Sequence, residues 1–263
     1  MSFDSKDKII LVTGASSGIG METARAFARK GARLALTGRN IEMLKVVSGS
    51  IKKEGGSAEM FPFDLTNISG IPELVKKIQS HFNESIDVVV NSAGVAVLGT
   101  VENIPVEAYS YNLQVNFVAS LALIKEVMPG MKNKMRGQII NISSGVGKRG
   151  LPGVSSYCVS KFALNALTES LRVELSPYNI DVILFSPGLT ATEFSERTKI
   201  YGEIKESFIS GKTVLPERIA EKIVEASEKS KREVMLSLRA KVSYHLNYWA
   251  PRLFDYILKR SLR

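Results

Sequence analysis

The sequence predicts a single doubly wound α/β domain, in which helices cover both faces of a seven-stranded parallel sheet. Short runs rich in β-branched residues alternate with longer helical patterns along the chain. Several short runs are apolar throughout, as expected of strands that are buried on both faces. No repeat or Pro/Gly-rich linker interrupts the alternation, and 263 residues suit one such domain.

The predicted strands are separated by segments long enough for helical crossovers. The strands are expected at residues 8–13, 33–37, 58–63, 86–91, 137–143, 181–186 and 233–238. The crossover helices include residues 19–30, 41–54, 71–82 and 106–128. We therefore assign residues 1–238 to one α/β domain and residues 239–263 to a helical extension of it, not a separate domain.

Composition excludes several kinds of site. The single cysteine, Cys158, cannot form an internal disulfide or a cysteine metal cluster, and it fits a reducing compartment. Only two histidines, His81 and His245, are present, and this small number argues against a histidine-based catalytic centre. Residues 1–8 lack the apolar core of an export signal, and no apolar run approaches the ~18 residues of a membrane span. We expect a cytoplasmic protein without a metal site.

The excess positive charge is concentrated at the end of the chain. The net charge is 35 − 26 = +9, and residues 239–263 carry six Lys/Arg and one acid, Asp255, which gives +5. Bulky apolar residues, including Trp249, accompany these charges. A basic, aromatic helix suits peripheral contact with a membrane surface, whereas the nearly balanced body argues against nucleic acid. A helical arm packed on the same subunit or on a partner is the alternative.

A glycine-rich loop follows the first predicted strand. It reads Gly14-Ala15-Ser16-Ser17-Gly18-Ile19-Gly20 and leads into an Ala-rich helix. Glycines permit positive φ and close approach to a pyrophosphate, and a helix N-terminus supplies N–H donors for it. A tight βα turn without a ligand is the alternative, but the position between strand and helix favours a nucleotide.

The second predicted strand ends at Gly38-Arg39-Asn40. An NAD site usually has an acidic side chain near this point for the ribose 2′-hydroxyl, and none is present. The guanidinium of Arg39 suits a 2′-phosphate, to which Ser16 and Ser17 could add hydroxyl groups. The sequence therefore predicts NADP(H) over NAD(H), with a solvated loop charge as the alternative role of Arg39.

Polar and small residues also follow the other strands. Asp64 follows the third strand, at its carboxyl end, where it lies beside a cofactor crevice or caps the next helix. The fourth strand ends in Asn91-Ser92-Ala93-Gly94, which allows close backbone approach to a ligand. Asn116 lies within a helical pattern and needs partners if it is buried, so an interhelical hydrogen bond would also explain it.

Tyr157 and Lys161 are four residues apart and leave the same face of a predicted helix. At ~4 Å and an effective dielectric of ~20, an ammonium would favour a phenolate by about 4 kcal/mol. At about 1.4 kcal/mol for each pKa unit, the phenol pKa would approach neutral pH, where general acid–base catalysis works best. The pair alone is weak evidence, and Cys158 beside it is assigned to packing.

In order and spacing, these features resemble the short-chain dehydrogenase/reductase family. The resemblance spans residues 8–238 and rests on TGASSGIG, on Asp-Leu at Asp64, on NSAG at Asn91, on Asn116, on Ser-Ser at Ser143, on YCVSK at Tyr157 and on PGLTAT at Pro187. The NSAG form departs from the commoner Asn-Asn-Ala-Gly of the family. The resemblance implies an NADP(H)-preferring oxidoreductase with a Rossmann-like fold that works as a homodimer or homotetramer.

The resemblance also implies a catalytic tetrad of Asn116, Ser144, Tyr157 and Lys161. Ser144 is chosen over Ser143 because it stands thirteen residues before Tyr157, the usual family separation. In the implied reaction Ser144 and Tyr157 hold a carbonyl oxygen, and Tyr157 donates the proton. Lys161 lowers the tyrosine pKa and holds the nicotinamide ribose. Asn116 supports a water. The expected cofactor-binding residues, besides Tyr157 and Lys161, are Gly14, Ser16, Ser17, Gly18, Ile19, Gly20, Arg39, Asn40, Asp64, Leu65, Asn91, Ala93, Gly94, Pro187, Gly188, Thr190 and Thr192.

The leading interpretation is reduction of an apolar carbonyl compound, or oxidation of the corresponding alcohol. Specificity is expected from residues 95–98, 146–154 and 192–214, the last of which suits a lid beside the cofactor. A catalytically silent NADP(H)-binding sensor or scaffold is an alternative, and a dehydratase or epimerase on the same fold is another.

Overall fold

The computed structural model describes residues 3–191, 194, 197–203 and 213–262. In chain order its strands are β1 (Ile9–Thr13), β2 (Arg33–Thr37), β3 (Ser57–Met60), β4 (Val88–Asn91), β5 (Val97–Gly99), β6 (Gly137–Ile142), β7 (Ile180–Ser186), β8 (Lys199–Tyr201) and β9 (Glu233–Met235). Its α-helices are α1 (Gly18–Ala28), α2 (Ile41–Lys53), α3 (Ile71–Phe82), α4 (Val106–Leu113), α5 (Ala119–Asn133), α6 (Ser155–Glu174), α7 (Pro216–Glu228), α8 (Leu238–Trp249) and α9 (Pro251–Leu262). The sequence-based fold class is confirmed.

Seven strands form one parallel sheet in the order β3-β2-β1-β4-β6-β7-β9. The chain moves outward in one direction from β1 and then returns to add β4 on the other side of it. Ligands of open α/β sheets bind outside the carboxyl ends of the strands at such a switch point. The topology therefore places a crevice beyond Thr13 and Asn91.

The core has two layers, one on each face of the sheet. Ile10 and Val12 of β1 pack with α1, α2 and α7, whereas Ile9 and Leu11 pack with α3, α5 and the end of α6. All four side chains are fully buried. This two-sided burial explains why the strands are apolar at successive positions rather than at alternate ones.

The third and the last strands of the main sheet end earlier than the sequence predicts. The third strand ends at Met60 rather than at residue 63. The N–H groups of Phe61 and Phe63 still donate to the carbonyls of Leu36 and Gly38, but the Phe61 carbonyl accepts a hydrogen bond from the Thr37 hydroxyl at 2.5 Å. The last strand ends at Met235 rather than at residue 238, because Ser237 caps α8 by accepting a hydrogen bond from the Ala240 N–H.

A second, two-stranded sheet was not predicted. It pairs β5 with β8 in parallel and lies beyond the carboxyl edge of the main sheet. Gly99 also bridges to Val154, just before α6. This small sheet ties the segment after β7 to the loops that flank α6.

No helix in the described part of the chain combines the length and the apolarity that crossing a bilayer would require.

Candidate active site

The loops that follow β1 and β4 are joined by one side chain at the switch point. The Thr13 hydroxyl accepts hydrogen bonds from the N–H groups of Ser92 and Ala93, both at 2.9 Å, and donates to the Val90 carbonyl at 3.3 Å. A Cβ on Gly14 would lie only 2.9 Å from the Ala93 Cα, and the φ of Gly14 is +66°. Glycine is therefore required here, and the loops after β1 and β4 pack directly against each other at the base of the crevice.

The N-terminus of α1 lies directly after the loop that follows β1. Gly18, the first helical residue, has a positive φ of 53°. The N-cap residue, Ser17, makes no side-chain capping bond, and the first turn carries no acidic side chain. The first-turn N–H groups and the positive end of the helix dipole therefore fit an anionic group such as a pyrophosphate.

The residues predicted to select the cofactor lie at the end of β2. Arg39 is exposed, and a Cβ on Gly38 would lie 3.2 Å from the Ser16 hydroxyl, so Ser16 is next to this strand end. Asn40 caps α2 by accepting a hydrogen bond from the Met43 N–H at 3.0 Å.

A second cation beside the glycine-rich loop was not identified from the sequence. The Arg197 guanidinium lies 3.5 Å from the Ser17 hydroxyl, 180 residues away in the chain. No local pattern could have revealed a contact over that separation.

Asp64 is exposed and uses one carboxylate oxygen to accept hydrogen bonds from the N–H (2.9 Å) and hydroxyl (3.0 Å) of Thr66. It does not cap the following helix, the alternative raised by the sequence, because Asn67 caps the short turn before α3. Its neighbour Leu65 is buried. Asp64 thus shapes the loop at the carboxyl end of the β3 segment.

Asn91 connects the central strands below the crevice. Its amide donates to Asn141 at 2.8 Å, and Asn141 donates to the Thr168 hydroxyl on α6 at 2.9 Å. The Asn91 amide oxygen and the Ser186 hydroxyl are both buried without a hydrogen-bond partner in the described residues. Such orphaned polar atoms at strand ends fit a site that takes a polar ligand.

Tyr157, Ser144 and Lys161 come together where β6 meets α6. The Ser144 side chain is close enough to the Tyr157 hydroxyl to lower its pKa by hydrogen bonding. Ser143, by contrast, is buried and donates to Asn165 at 2.5 Å. The Lys161 ammonium lies 5.6 Å from the centre of the Tyr157 ring and donates to the Ile142 carbonyl at 2.9 Å.

Burial is the largest influence on both ionisable groups. It raises the pKa of Tyr157 above its ordinary value, and the hydrogen bond to Ser144 partly opposes this. It lowers the pKa of Lys161 to about 8. The expectation that the lysine charge lowers the tyrosine pKa is therefore not met in this structure, because desolvation of the phenolate outweighs any other effect. The spacing placed the two groups correctly but carried no information on burial.

Lys161 retains hydrogen-bonding capacity. An ammonium has three protons, and one of them is used by Ile142. No ion pair between Lys161 and a carboxylate occurs within the described ranges of the chain. A buried cation with unused donors fits a ligand that carries hydroxyl groups, as the ribose of a dinucleotide does.

Asn116 lies in a single π-helical turn, Gln114–Val118, between α4 and α5. Its side chain accepts from the Val95 N–H at 2.8 Å and donates to the Val95 carbonyl and the Ser160 hydroxyl, each at 2.9 Å. Such turns often mark functional sites. The interhelical bond that the sequence left open is present, and its partner, Ser160, was not predicted.

Gly94 lies between two members of the predicted tetrad. A Cβ at this position would be 3.3 Å from the Asn116 amide oxygen and 3.8 Å from the Lys161 ammonium. The loop after β4 therefore passes directly beside both side chains, and a larger residue would crowd them.

The segment after β7 closes one side of the site. Gly188 has a φ of +89°, and the Thr190 hydroxyl donates to its carbonyl at 3.3 Å. Phe194 packs against Tyr157, with 5.9 Å between ring centres. The expected Thr192, and most of the expected lid at 192–214, lie outside the described residues.

The described part of the chain contains no group of three or more His, Cys, Asp or Glu side chains suited to a metal ion. The site is instead built from hydroxyl, amide and ammonium groups at one sheet edge. Such groups can hold a dinucleotide and supply donors to an oxygen that gains negative charge.

Comparisons with known proteins identify the family of the chain. A family model described as short chain dehydrogenase matches residues 8–200. The "Dehydrogenase/reductase SDR family protein 7-like" of Drosophila melanogaster is 31% identical over 97% of this chain and 81% of its own length. A short-chain dehydrogenase structure from Streptomyces avermitilis has a TM-score of 0.85 at 25% identity, covering 99% of this chain and 100% of that one. A metagenomic short-chain oxidoreductase solved in complex with NADP has a TM-score of 0.75 at 30% identity, covering 89% and 98%.

Proposed function

The chain belongs to the short-chain dehydrogenase family of oxidoreductases, and from that premise we propose that it interconverts an apolar carbonyl compound and its alcohol with NADP(H). The observation that carries the proposal is that the Ser144 side chain and the buried Lys161 both lie beside Tyr157. A protein that only binds a nucleotide has no need of this set of side chains.

In the proposed reduction, the substrate oxygen accepts hydrogen bonds from the Ser144 and Tyr157 hydroxyls. The two donors are held in place before negative charge develops on that oxygen, so they stabilise it without a metal ion. NADPH, when bound, supplies a hydride from carbon 4 of its nicotinamide. Tyr157 gives its proton to the oxygen, and its raised pKa keeps it protonated at neutral pH.

Lys161 and Asn116 support this chemistry from one side. The unused donors of Lys161 would hold the nicotinamide ribose, and its positive charge would stabilise the phenolate left after proton transfer. Asn116 would fix the loop at Val95 and, with Lys161, hold a water that returns a proton to Tyr157. The remaining cofactor contacts are proposed at the residues predicted from the sequence.

The proposed preference for NADP(H) rests on Arg39 at the end of β2. Its exposed guanidinium follows a strand end without an acidic side chain, and Ser16 lies beside the same strand end. The metagenomic relative was solved with NADP, which supports the same choice. Arg39→Asp should weaken NADPH binding by about tenfold or more, because it removes a charge-assisted contact and adds repulsion. Unchanged NADPH affinity, or equal native turnover with NADH, would refute the preference.

The test of the activity is NADPH oxidation against a panel of hydrophobic ketones, aldehydes and 3-oxoacyl thioesters. Tyr157→Phe should abolish turnover while NADPH binding, followed by fluorescence, is retained. Tyr178→Phe is the matched control, because Tyr178 also lies close to a lysine, with Lys132 at 4.4 Å from its ring, but packs against the core beside α3 and α5. Retained activity in Tyr157→Phe would rule out the proposed proton donor.

The same panel separates the alternatives. A silent sensor or scaffold would bind NADPH without turnover of any compound. A dehydratase or epimerase would convert its substrate without net oxidation of NADPH. Neither outcome is expected if Ser144 and Tyr157 donate to one substrate oxygen, as proposed.

We also propose that the protein is a homodimer or homotetramer that associates through the helices bearing Asn116 and Tyr157. In the described residues, α6 exposes Val159, Phe162 and Val173, although they are apolar. Phe162→Glu should shift sedimentation toward the monomer, whereas Phe162→Leu should not. A native protein that sediments as a monomer would contradict this part of the proposal.

Peripheral membrane contact is proposed for the exposed face of α8 and α9. Leu238, Val242 and Trp249 are exposed at helical spacing on α8, and Leu253 and Ile257 are exposed on α9. The segment's charge of +5 would favour anionic lipids. Flotation with anionic vesicles should exceed that with neutral ones and fall in Trp249→Ser. No flotation with either vesicle would refute the contact.

A further inference from the structure

The loop that carries Ser144 is held from both sides. Residues 144–149, here called the serine loop, form a short helical turn in which the Gly147 N–H donates to the Ser144 carbonyl at 3.0 Å. On the α6 side, Asn165 donates to the Gly147 carbonyl at 2.9 Å, and Cys158, adjacent to Tyr157, donates to the Arg149 carbonyl at 3.8 Å. The position of Ser144 therefore depends on the position of this turn.

On its other side the serine loop lies against α8 and α9, here called the C-terminal helix pair. A Cβ on Gly145 would lie 2.7 Å from the Ala240 Cβ, so the backbone of the loop touches α8 closely. Lys148 pairs with Glu233 at 3.2 Å and lies 5.6 Å from the Tyr244 ring. On this side the serine loop thus contacts a segment from the end of the sequence.

Arg149 makes the contacts that fasten the two together. One guanidinium nitrogen donates to Asn247 on α8 at 2.6 Å, and another pairs with Asp255 on α9. The guanidinium also lies over the ring of Phe254, 5.3 Å from its centre, and Phe254 is buried. A planar fork that stacks and bonds in two directions cannot be replaced by lysine without losing contacts.

We infer that Arg149 is a positioning residue for the proposed reaction: it fixes the serine loop to the C-terminal helix pair and so holds the Ser144 hydroxyl against Tyr157. This inference rests on the proposed function. The contacts are more than an exposed ion pair, which alone would contribute little. They join three separate chain segments beside the reacting groups. The C-terminal helix pair is then a working part of the active site, whatever else its outer face contacts.

The test compares full-length variants. Arg149→Ala should lower kcat by about tenfold to hundredfold, as expected for a displaced donor, while the NADPH dissociation constant changes by less than about twofold. Arg33→Ala is the matched control, because it also removes an ion pair of similar exposure, with Glu84 at 2.6 Å, from the opposite end of the sheet. It should leave kcat unchanged.

A double-mutant cycle separates positioning from general loss of structure. In a Ser144→Ala background, Arg149→Ala should cause little further loss of kcat, because the group that it positions is already gone. The Ser144 hydrogen bond lowers the pKa of Tyr157, so Arg149→Ala should also move the pH profile of alcohol oxidation to higher pH. Additive losses, or a kcat within about twofold of native in the single variant, would overturn the inference.

If Arg149→Ala does not fold, Asn247→Ala replaces it in the test. This variant removes the hydrogen bond between Arg149 and Asn247 and keeps the ion pair between Arg149 and Asp255. It should show the same pattern with a smaller fall in kcat, and a folded Asn247→Ala with native kcat would then overturn the inference. Native activity in Ser144→Ala would refute the proposed function, whereas loss in Ser144→Ala with native activity in Arg149→Ala would refute only the positioning role.

Discussion

Replacing Lys161 with methionine should stabilise the fold while it abolishes catalysis. The Lys161 side chain is only 4% exposed and forms no ion pair with a carboxylate in the described residues. Its burial lowers the pKa of the ammonium from its ordinary value of 10.5 to about 8. The folded protein therefore disfavours the charged form, and an apolar side chain of similar length removes that cost.

The size of the effect follows from the pKa. At about 1.4 kcal/mol for each pKa unit, the change from 10.5 to about 8 corresponds to roughly 3 kcal/mol at neutral pH. The methionine variant also loses the hydrogen bond to the Ile142 carbonyl, which lowers the free energy of unfolding by about 1 kcal/mol. The net gain in the free energy of unfolding is then about 2 kcal/mol, or roughly 5 °C in Tm.

The gain should also depend on pH in a defined direction. Between pH 8 and 10.5 the unfolded chain keeps a proton on Lys161 that the folded protein has released, so native stability rises with pH in this window. The methionine variant lacks this titration, and its advantage should shrink across the same window.

Urea denaturation of both proteins at pH 7 and at pH 10 measures the difference directly. A methionine variant that is less stable than the native protein at pH 7 would refute the reasoning. So would an advantage of equal size at both pH values, because it would show that the Lys161 charge is not the cause.

Three further outcomes are expected. Ser144→Ala should slow reduction by about a hundredfold or more, as loss of one oxyanion donor does, whereas Ser143→Ala should reduce stability and leave kcat much less affected; equal rates in the two variants would contradict the assignment. Asn116→Leu should lower the free energy of unfolding by about 2–4 kcal/mol, since it leaves buried partners unpaired, and a Tm equal to native would contradict this. The rate of carbonyl reduction should fall as the pH passes about 8, where Lys161 loses its charge, and a flat profile there would argue against its role.

The fold was accessible from the sequence because burial on both faces leaves a strong local pattern. Strands such as Ile9–Thr13 are apolar at every position, and the glycine loop marks the first turn. The sheet of β5 and β8 was not accessible, because two three-residue strands about a hundred residues apart carry no such signal.

Sequence motifs identified the members of the predicted tetrad, and in the structure Tyr157, Ser144 and Lys161 lie close together. Their ionisation could not be predicted, because spacing along a helix does not reveal burial. The role of Arg149 was likewise hidden, since its partners Asn247 and Asp255 lie about a hundred residues further along the chain. Contacts over such separations arise from tertiary packing and leave no local signature.

The most direct test of the proposed chemistry follows deuterium from position 4 of labelled NADPH in a single turnover, with mass spectrometry of the alcohol. The native protein should place one deuterium on the carbon that carries the hydroxyl group of the alcohol. Tyr157→Phe, with NADPH bound equally well, should form that product at least about a hundredfold more slowly. Deuterated alcohol formed at the native rate by Tyr157→Phe would show that the tyrosine is not the proton donor.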